Sequence, residues 1–443
     1  MKSLDDIRIL LASGAKVNES VTQGLKPLHY AVWQRYTAAV NLLLVRGADI
    51  NAADDCGYSA LHLAAEHGYL ELAELLLKLG AKVDYVEPSN ERYPRTTLCD
   101  EPLRLALRNK HYELARLLLE HGADPNKRYF LGSEINLVDD ADALSLLLTF
   151  GANPETRDRT GMTPLMRAVR QQDSMEQVLL LLKHGADVNA VTDSRNDYRT
   201  VLHYAVIAGN VAVVNLLLKQ GANVDVRTPA LEVAKPSPLH LAVLRGDPNL
   251  VKLLLENGAN VNRCAPLIGS PLHVACADNI LHRQEIIKIL LSYGADPNIR
   301  IPRQPSINAT LRSPLAELLA SNQTVSIKDL HLLIKYGAKV IIKTQLKDPD
   351  GILNYLGNIQ TNTPTFNILL ESAEKFSISM IRRNTTISND QKEILLQSAT
   401  NPLSLKKQSR IFLRNFFGKY LVESVSVLPL PHVLKEFLIF EHT

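Results

Sequence analysis

The chain has 443 residues, 46% apolar and 5% aromatic, and its 49 Lys and Arg stand against 46 Asp and Glu for a formal net charge of +3. So even a balance argues against nucleic acid or an anionic membrane as the main partner. No run of about 18 apolar residues is available to span a bilayer, and Met1-Lys2-Ser3-Leu4-Asp5-Asp6 puts acids where a signal peptide needs an apolar core.

Cys56, Cys99, Cys264 and Cys276 form no C-x-x-C pair and no zinc-like spacing. They fit a reducing compartment, with the cytoplasm expected and the nucleus as a second location. The sequons at Asn308, Asn322 and Asn384 then read as chance matches.

The first element in chain order is a helix over residues 4–12. It looks like the second half of a helical pair whose first half is absent, so an N-terminal part is expected to be missing. A Gly-Ala pair then recurs at Gly14, Gly47, Gly80, Gly122, Gly151, Gly185, Gly221, Gly258, Gly294 and Gly337, with spacings of 33, 33, 42, 29, 34, 36, 37, 36 and 43. Each glycine follows an apolar run such as Leu42-Leu43-Leu44 or Leu216-Leu217-Leu218, where a positive φ ends a helix. A second signature follows seven of these turns: Lys26-Pro27-Leu28-His29, Ser59-Ala60-Leu61-His62, Thr163-Pro164-Leu165-Met166, Thr200-Val201-Leu202-His203, Ser237-Pro238-Leu239-His240, Ser270-Pro271-Leu272-His273 and Ser313-Pro314-Leu315. Ser or Thr caps a short helix, and Pro fits its first turn.

Three units depart from this grammar. Residues 86–99 and 300–312 are long loops, and the copy from Gly132 to Gly151 is short, its first helix falling on Ile135–Asp140 without the cap-Pro-Leu-His signature. From residue 344 to 400 the glycines lapse. Ile352–Leu356 and Phe366–Leu370 predict a degenerate helical pair, followed by a polar stretch from Arg382 to Gln391.

The repeated unit resembles the ankyrin repeat, a turn plus two antiparallel helices with a period of about 33 residues. The resemblance covers residues 1–343 and implies an all-α ankyrin-repeat solenoid of about ten repeats. Loops on one face of such a stack are often the binding face.

The tail, residues 401–443, is unrelated to the repeats. Ser404-Leu405 opens a helix on which Leu405, Ser409 and Leu413 follow at intervals of four, among Lys406, Lys407, Arg410 and Arg414. Gly418 stops it, Leu421–Val427 form a second apolar run, and Leu428-Pro429-Leu430-Pro431 lead into a third helix at Val433–Leu438. Three short helices cannot cover so many large side chains, so the repeats or another protein must. This segment resembles a small three-helix SOCS box, with Ser409 where the family most often has Cys. The whole chain resembles the ankyrin repeat and SOCS box protein family. That resemblance implies a substrate receptor of a ubiquitin ligase. Leu405, Ser409 and Leu413 would bind elongin C of the elongin B–elongin C pair. Leu428, Pro429, Leu430, Pro431 and Leu434 would bind cullin-5, which carries a RING subunit, and the repeats would hold an unnamed protein substrate.

Tyr93, Tyr198, Arg300 and Arg303 are the candidate substrate contacts, beside Arg92, Arg95 and Arg312, because exposed loop aromatics are costly to keep without use. The signature histidines read as structural rather than as metal ligands, and no metal or other cofactor is expected. No nucleophile triad, phosphate-cradling loop or H-E-x-x-H occurs, so no catalysis is expected of this chain. Asn51 and Asn189 match the spacing that resembles ankyrin asparagines modified by an asparaginyl hydroxylase, but a turn-bonding role is the better supported reading of each. The alternative to a ligase adaptor is a plain ankyrin scaffold with the tail as its C-terminal cap.

Overall fold

The structure is a computed structural model describing residues 4–84, 100–129, 132–225, 235–265, 268–277, 280–299, 312–320, 325–344, 350–361 and 363–440. The chain divides into two compact units, Met1–Asn196 and Asp197–Thr443. Each is built of short antiparallel helix pairs.

In the first unit, helix Leu4–Ala12 stands without a pair and buries only Ile7. Pairs follow at Pro27–Trp33 with Thr37–Val45, Ala60–His67 with Leu70–Lys78, and Pro102–Arg108 with Tyr112–Glu120. Pro164–Ala168 with Met175–Lys183 closes this unit. In the second unit the pairs are Val201–Ala208 with Val211–Lys219, Pro238–Arg245 with Pro248–Glu256, Pro271–Cys276 with Arg283–Ser292, and Pro314–Ala320 with Ile327–Lys335.

The repeating glycines adopt φ from +83° to +96°. At Gly80 the turn is a Schellman cap: Gly80 N donates to Leu77 O at 3.0 Å and Ala81 N to Leu76 O at 2.9 Å. A ladder of amide side chains ties successive turns together. Asn262 Oδ1 accepts from Asp296 N (2.8 Å) while its Nδ2 donates to Gly294 O (3.0 Å), and Asn298 does the same toward Lys339 N and Gly337 O, both at 2.8 Å. Asn51 belongs to this ladder, accepting from Lys82 N at 2.8 Å.

The signature histidines also bond backbone. Ser237 N donates to His240 Nδ1 at 3.2 Å, and His240 Nε2 lies 3.1 Å from Gly269 O in the next unit. His203 Nε2 reaches Pro236 O in the same way, at 3.2 Å. Burial pushes His203, His240 and His273 down to about 4, so they are neutral at pH 7.

Two expectations are corrected. The short copy has no helix at Ile135–Asp140. A hairpin pairing Arg128–Tyr129 with Gly132–Ser133 leads into one 3-10 turn, Glu134–Asn136, because the next helix already begins at Ala141. Its signature survives in disguise as Ser133-Glu134-Ile135-Asn136. Asn136 Oδ1 accepts from Ser133 N at 3.3 Å and Asn136 Nδ2 donates to Thr156 O at 3.1 Å, the two bonds a histidine makes elsewhere.

The closing region is also richer than a helical pair and a polar stretch. A 3-10 helix, Leu353–Asn358, and helix Pro364–Ser372 precede strand Ala373–Phe376, which runs parallel to Val340–Ile342. Helices Ile378–Arg383 and Asn389–Thr400 then occupy the two ends of the supposed polar stretch. The last is held by a buried Gln391, whose Nε2 donates to Leu356 O (2.8 Å) and Ile359 O (2.7 Å). Polar anchoring of this kind leaves no apolar periodicity to read. Among the described residues no helix is long and apolar enough to cross a membrane.

Candidate functional site

The C-terminal segment folds into three helices, Leu405–Phe417, Leu421–Val427 and His432–Ile439. The first is capped by Ser404, whose hydroxyl oxygen accepts from Lys407 N at 3.3 Å, and ends where Gly418 turns to φ +53°. Leu421, Val425, Leu438 and Ile439 form a small core, with Leu413, Phe417, Leu430 and Phe437 packed against it.

The first helix has its polarity reversed. Its apolar face looks outward: Leu405 is 79% exposed, Phe412 68% and Phe416 73%, with the exposed Ser409 between them. Phe412 and Phe416 stack with ring centroids 6.3 Å apart. The basic face looks inward: Arg410 is 6% exposed and Arg414 4%. Burying a guanidinium is costly unless its donors and charge are met. Arg414 Nη2 donates to Ile334 O at 2.7 Å and to Ala338 O at 3.4 Å, at the C-terminal end of helix Ile327–Lys335. Helix ends leave carbonyls unpaired and carry partial negative charge. The Arg410 guanidinium carbon lies 3.5 Å from the Phe437 ring centroid and 4.0 Å from that of Phe440. Burial pulls both arginines down to about 10, which leaves them cationic at pH 7. His331 Nε2 against Phe440 O, and Asn415 Nδ2 donating to Glu374 Oε2 at 3.4 Å, complete the junction with the closing repeats.

Of the expected docking stripe, Leu405 and Ser409 are exposed, whereas Leu413 is half-buried against the small core. Phe412 and Phe416 share the outward face instead. In the other segment Pro429, Pro431 and Leu434 are exposed and Leu428 and Leu430 half-buried, with exposed Val427 and Val433 alongside. Tyr198 is half-buried at φ +54°. Tyr93, Arg300 and Arg303 lie outside the described residues, as do Arg92 and Arg95. Arg312 packs over the Tyr355 ring at 5.2 Å. One feature of the repeats had no loop signal: Trp33, Ile207 and Leu244 hold the same position, four residues after the signature histidine, and all are exposed. Among the described residues no His, Cys, Asp and Glu group is placed to hold a metal ion.

Residues 2–87, 46–129, 135–228 and 230–301 match the family described as ankyrin repeats (3 copies), and residues 401–439 match the SOCS box. The fold is thus an all-α ankyrin-repeat solenoid followed by a SOCS box. The chain belongs to the ankyrin repeat and SOCS box family.

Among curated relatives, palmitoyltransferase ZDHHC13 of Mus musculus is 33% identical over 130 residues, 28% of this chain and 21% of that one. Protein glp-1 of Caenorhabditis elegans is 34% identical over 160 residues, 31% of this chain and 12% of that one. The chain spans about a fifth or less of the length of these relatives, and what it shares with the palmitoyltransferases is the ankyrin region. Among solved structures, the ankyrin repeat domain of Bcl-3 is 27% identical, covering 60% of this chain and 99% of that one with a TM-score of 0.42. The human ASB11 ankyrin repeat domain is 24% identical, covering 60% and 98% with a TM-score of 0.31.

Proposed function

We propose that this chain is a non-catalytic substrate receptor of a cullin-RING ubiquitin ligase. Its SOCS box docks the elongin B–elongin C pair through elongin C. The segment around Leu428, Pro429, Leu430, Pro431 and Leu434 engages cullin-5 with its RING subunit. The ankyrin array holds a protein substrate for ubiquitination and proteasomal degradation, in the cytoplasm and also the nucleus. The observation that carries the reading is the outward apolar face of Leu405, Phe412 and Phe416 on a helix whose arginines are buried. Each large apolar side chain covered by a partner contributes roughly 1.5–3 kcal/mol before association costs. A plain C-terminal cap would bury that face against the repeats, and Leu405 is 79% exposed.

Tyr198, Tyr93, Arg300 and Arg303 remain the proposed substrate contacts, and the apolar row Ile207 and Leu244 adds to them. Affinity capture of the tagged full chain from cells tests the reading. Elongin B, elongin C and cullin-5 should co-purify in comparable amounts. Recovery of the intact chain without elongin C would overturn the adaptor assignment.

A further inference from the structure

Where the first SOCS-box helix begins, its basic face borders a cleft of about 440 Å³. Ser404, Lys406, Lys407 and Arg410 line one side, and Phe437 closes the other. Arg410 is buried to 6% exposure, yet it makes no hydrogen bond or ion pair with any described residue, and its Nε is buried without a partner. Its charge is met only by the Phe437 and Phe440 rings and by the more distant Glu371. Lys406 Nζ stands 4.3 Å from the centroid of the same Phe437 ring. Lys407 Nζ donates to Leu370 O at 3.2 Å, which leaves it two further donors.

Two acids also line the cleft, Glu371 and Glu436. Glu436 Oε1 is 2.8 Å from His432 Nδ1, and Glu371 is exposed at the end of helix Pro364–Ser372. Neither forms an ion pair with the three cations among the described residues. The cleft thus gathers three cations near the N-terminal end of a thirteen-residue helix, one of them with a buried Nε that has no hydrogen-bonding partner. A buried N–H left without an acceptor is unfavourable, and a tetrahedral dianion suits several converging donors.

We propose that this cleft is an oxyanion site that takes a phosphoryl group, either as free phosphate or on a phosphorylated small molecule. Bound there, the group would bridge Lys406, Lys407 and Arg410 between the closing repeats and the SOCS box. The inference uses no part of the ligase reading and stands apart from the apolar docking face.

The test is thermal unfolding and calorimetric titration of the full chain with inorganic phosphate, against sodium chloride of equal ionic strength. Phosphate is expected to raise the melting temperature by several degrees where chloride does not. Lys406→Glu, an exposed change that leaves the core intact, is expected to weaken binding about tenfold or more, the scale of one lost charge-assisted contact. Arg410→Met should abolish the response. Should that variant fail to fold, Lys406→Glu alone decides. Glycerol 3-phosphate binding more tightly than inorganic phosphate points to a small-molecule source; equal or weaker binding points to free phosphate. A chloride shift equal to that of phosphate, unchanged affinity in Lys406→Glu, or acetate binding as tightly as phosphate overturns the proposal.

Discussion

Arg414 Nη2 donates to the Ile334 carbonyl at 2.7 Å, across 80 residues of sequence. A SOCS-box side chain thereby occupies an open carbonyl at the end of helix Ile327–Lys335 in the ankyrin array. The contact orients the first box helix, because turning its arginines inward turns Leu405, Phe412 and Phe416 out.

Removing this strut should loosen the box without unfolding the repeats. Arg414→Ala deletes charged hydrogen bonds to Ile334 and Ala338, which contribute roughly 1.5–3 kcal/mol. Hydrogen exchange is expected to accelerate in Leu405–Phe417 and His432–Ile439, with helices of the first unit unchanged. Arg414→Lys should recover less than half of the loss, since one ammonium cannot reproduce the guanidinium fork.

A second test uses glycine. Gly294 and Gly337 have similar positive φ, +83° and +96°, but a Cβ at Gly294 meets nothing within 4 Å, whereas one at Gly337 would lie 2.8 Å from Gly418 O. Gly294→Ala should cost about 1–2 kcal/mol for the backbone conformation alone. Gly337→Ala should cost about 1–3 kcal/mol more, because it presses the box off the array. Urea unfolding of the two variants measures the difference; equal losses would mean that the box does not rest there.

The buried histidines make a pH prediction. Folding lowers His240 from 6.5 to about 4, so between those values the unfolded chain binds more protons. The stabilisation is complete above pH 6.5 and drains away as pH falls toward 4, by on the order of 1 kcal/mol or more for each such histidine. Melting temperature should therefore drop on acidification through this window. Asn136 shows which substitute keeps the bonds. His240→Asn is expected to cost less than His240→Leu, which orphans Ser237 N and leaves Gly269 O only its bond from Ala265 N, and to flatten the acid limb.

Much of this was legible in the sequence, and the failures have local causes. Glycine stops and Ser-Pro-Leu-His caps depend on neighbours in sequence, so the repeats could be read directly. Ser133-Glu134-Ile135-Asn136 escaped because Asn replaces His while making the same bonds. Steps of four join Leu405, Ser409 and Leu413 in the sequence. At 3.6 residues per turn those two steps rotate the face by roughly 80°. Steps of seven and eleven, to Phe412 and Phe416, return within roughly 20° of Leu405. The direction of Arg410 and Arg414 was not legible, because arginines usually face solvent. What holds them inside is a carbonyl in a distant helix and two aromatic rings near the chain end.

Leu413 and Phe416 then separate packing from docking. Leu413→Asp is expected to destabilise the box by about 2 kcal/mol or more, since it puts a charge against the small core of Leu421, Val425, Leu438 and Ile439. Phe416→Asp and Leu405→Asp should change folding stability by no more than about 0.5 kcal/mol. Thermal unfolding of the three variants makes the distinction.

The most direct measurement is the affinity of purified elongin B–elongin C for the full chain and for its Leu405→Asp/Phe416→Asp double variant, each checked for an unchanged melting temperature. The outward-face account predicts tight binding by the parent and a loss of about a hundredfold or more in the variant, the scale of two buried anchors. Equal affinity for both proteins would contradict it.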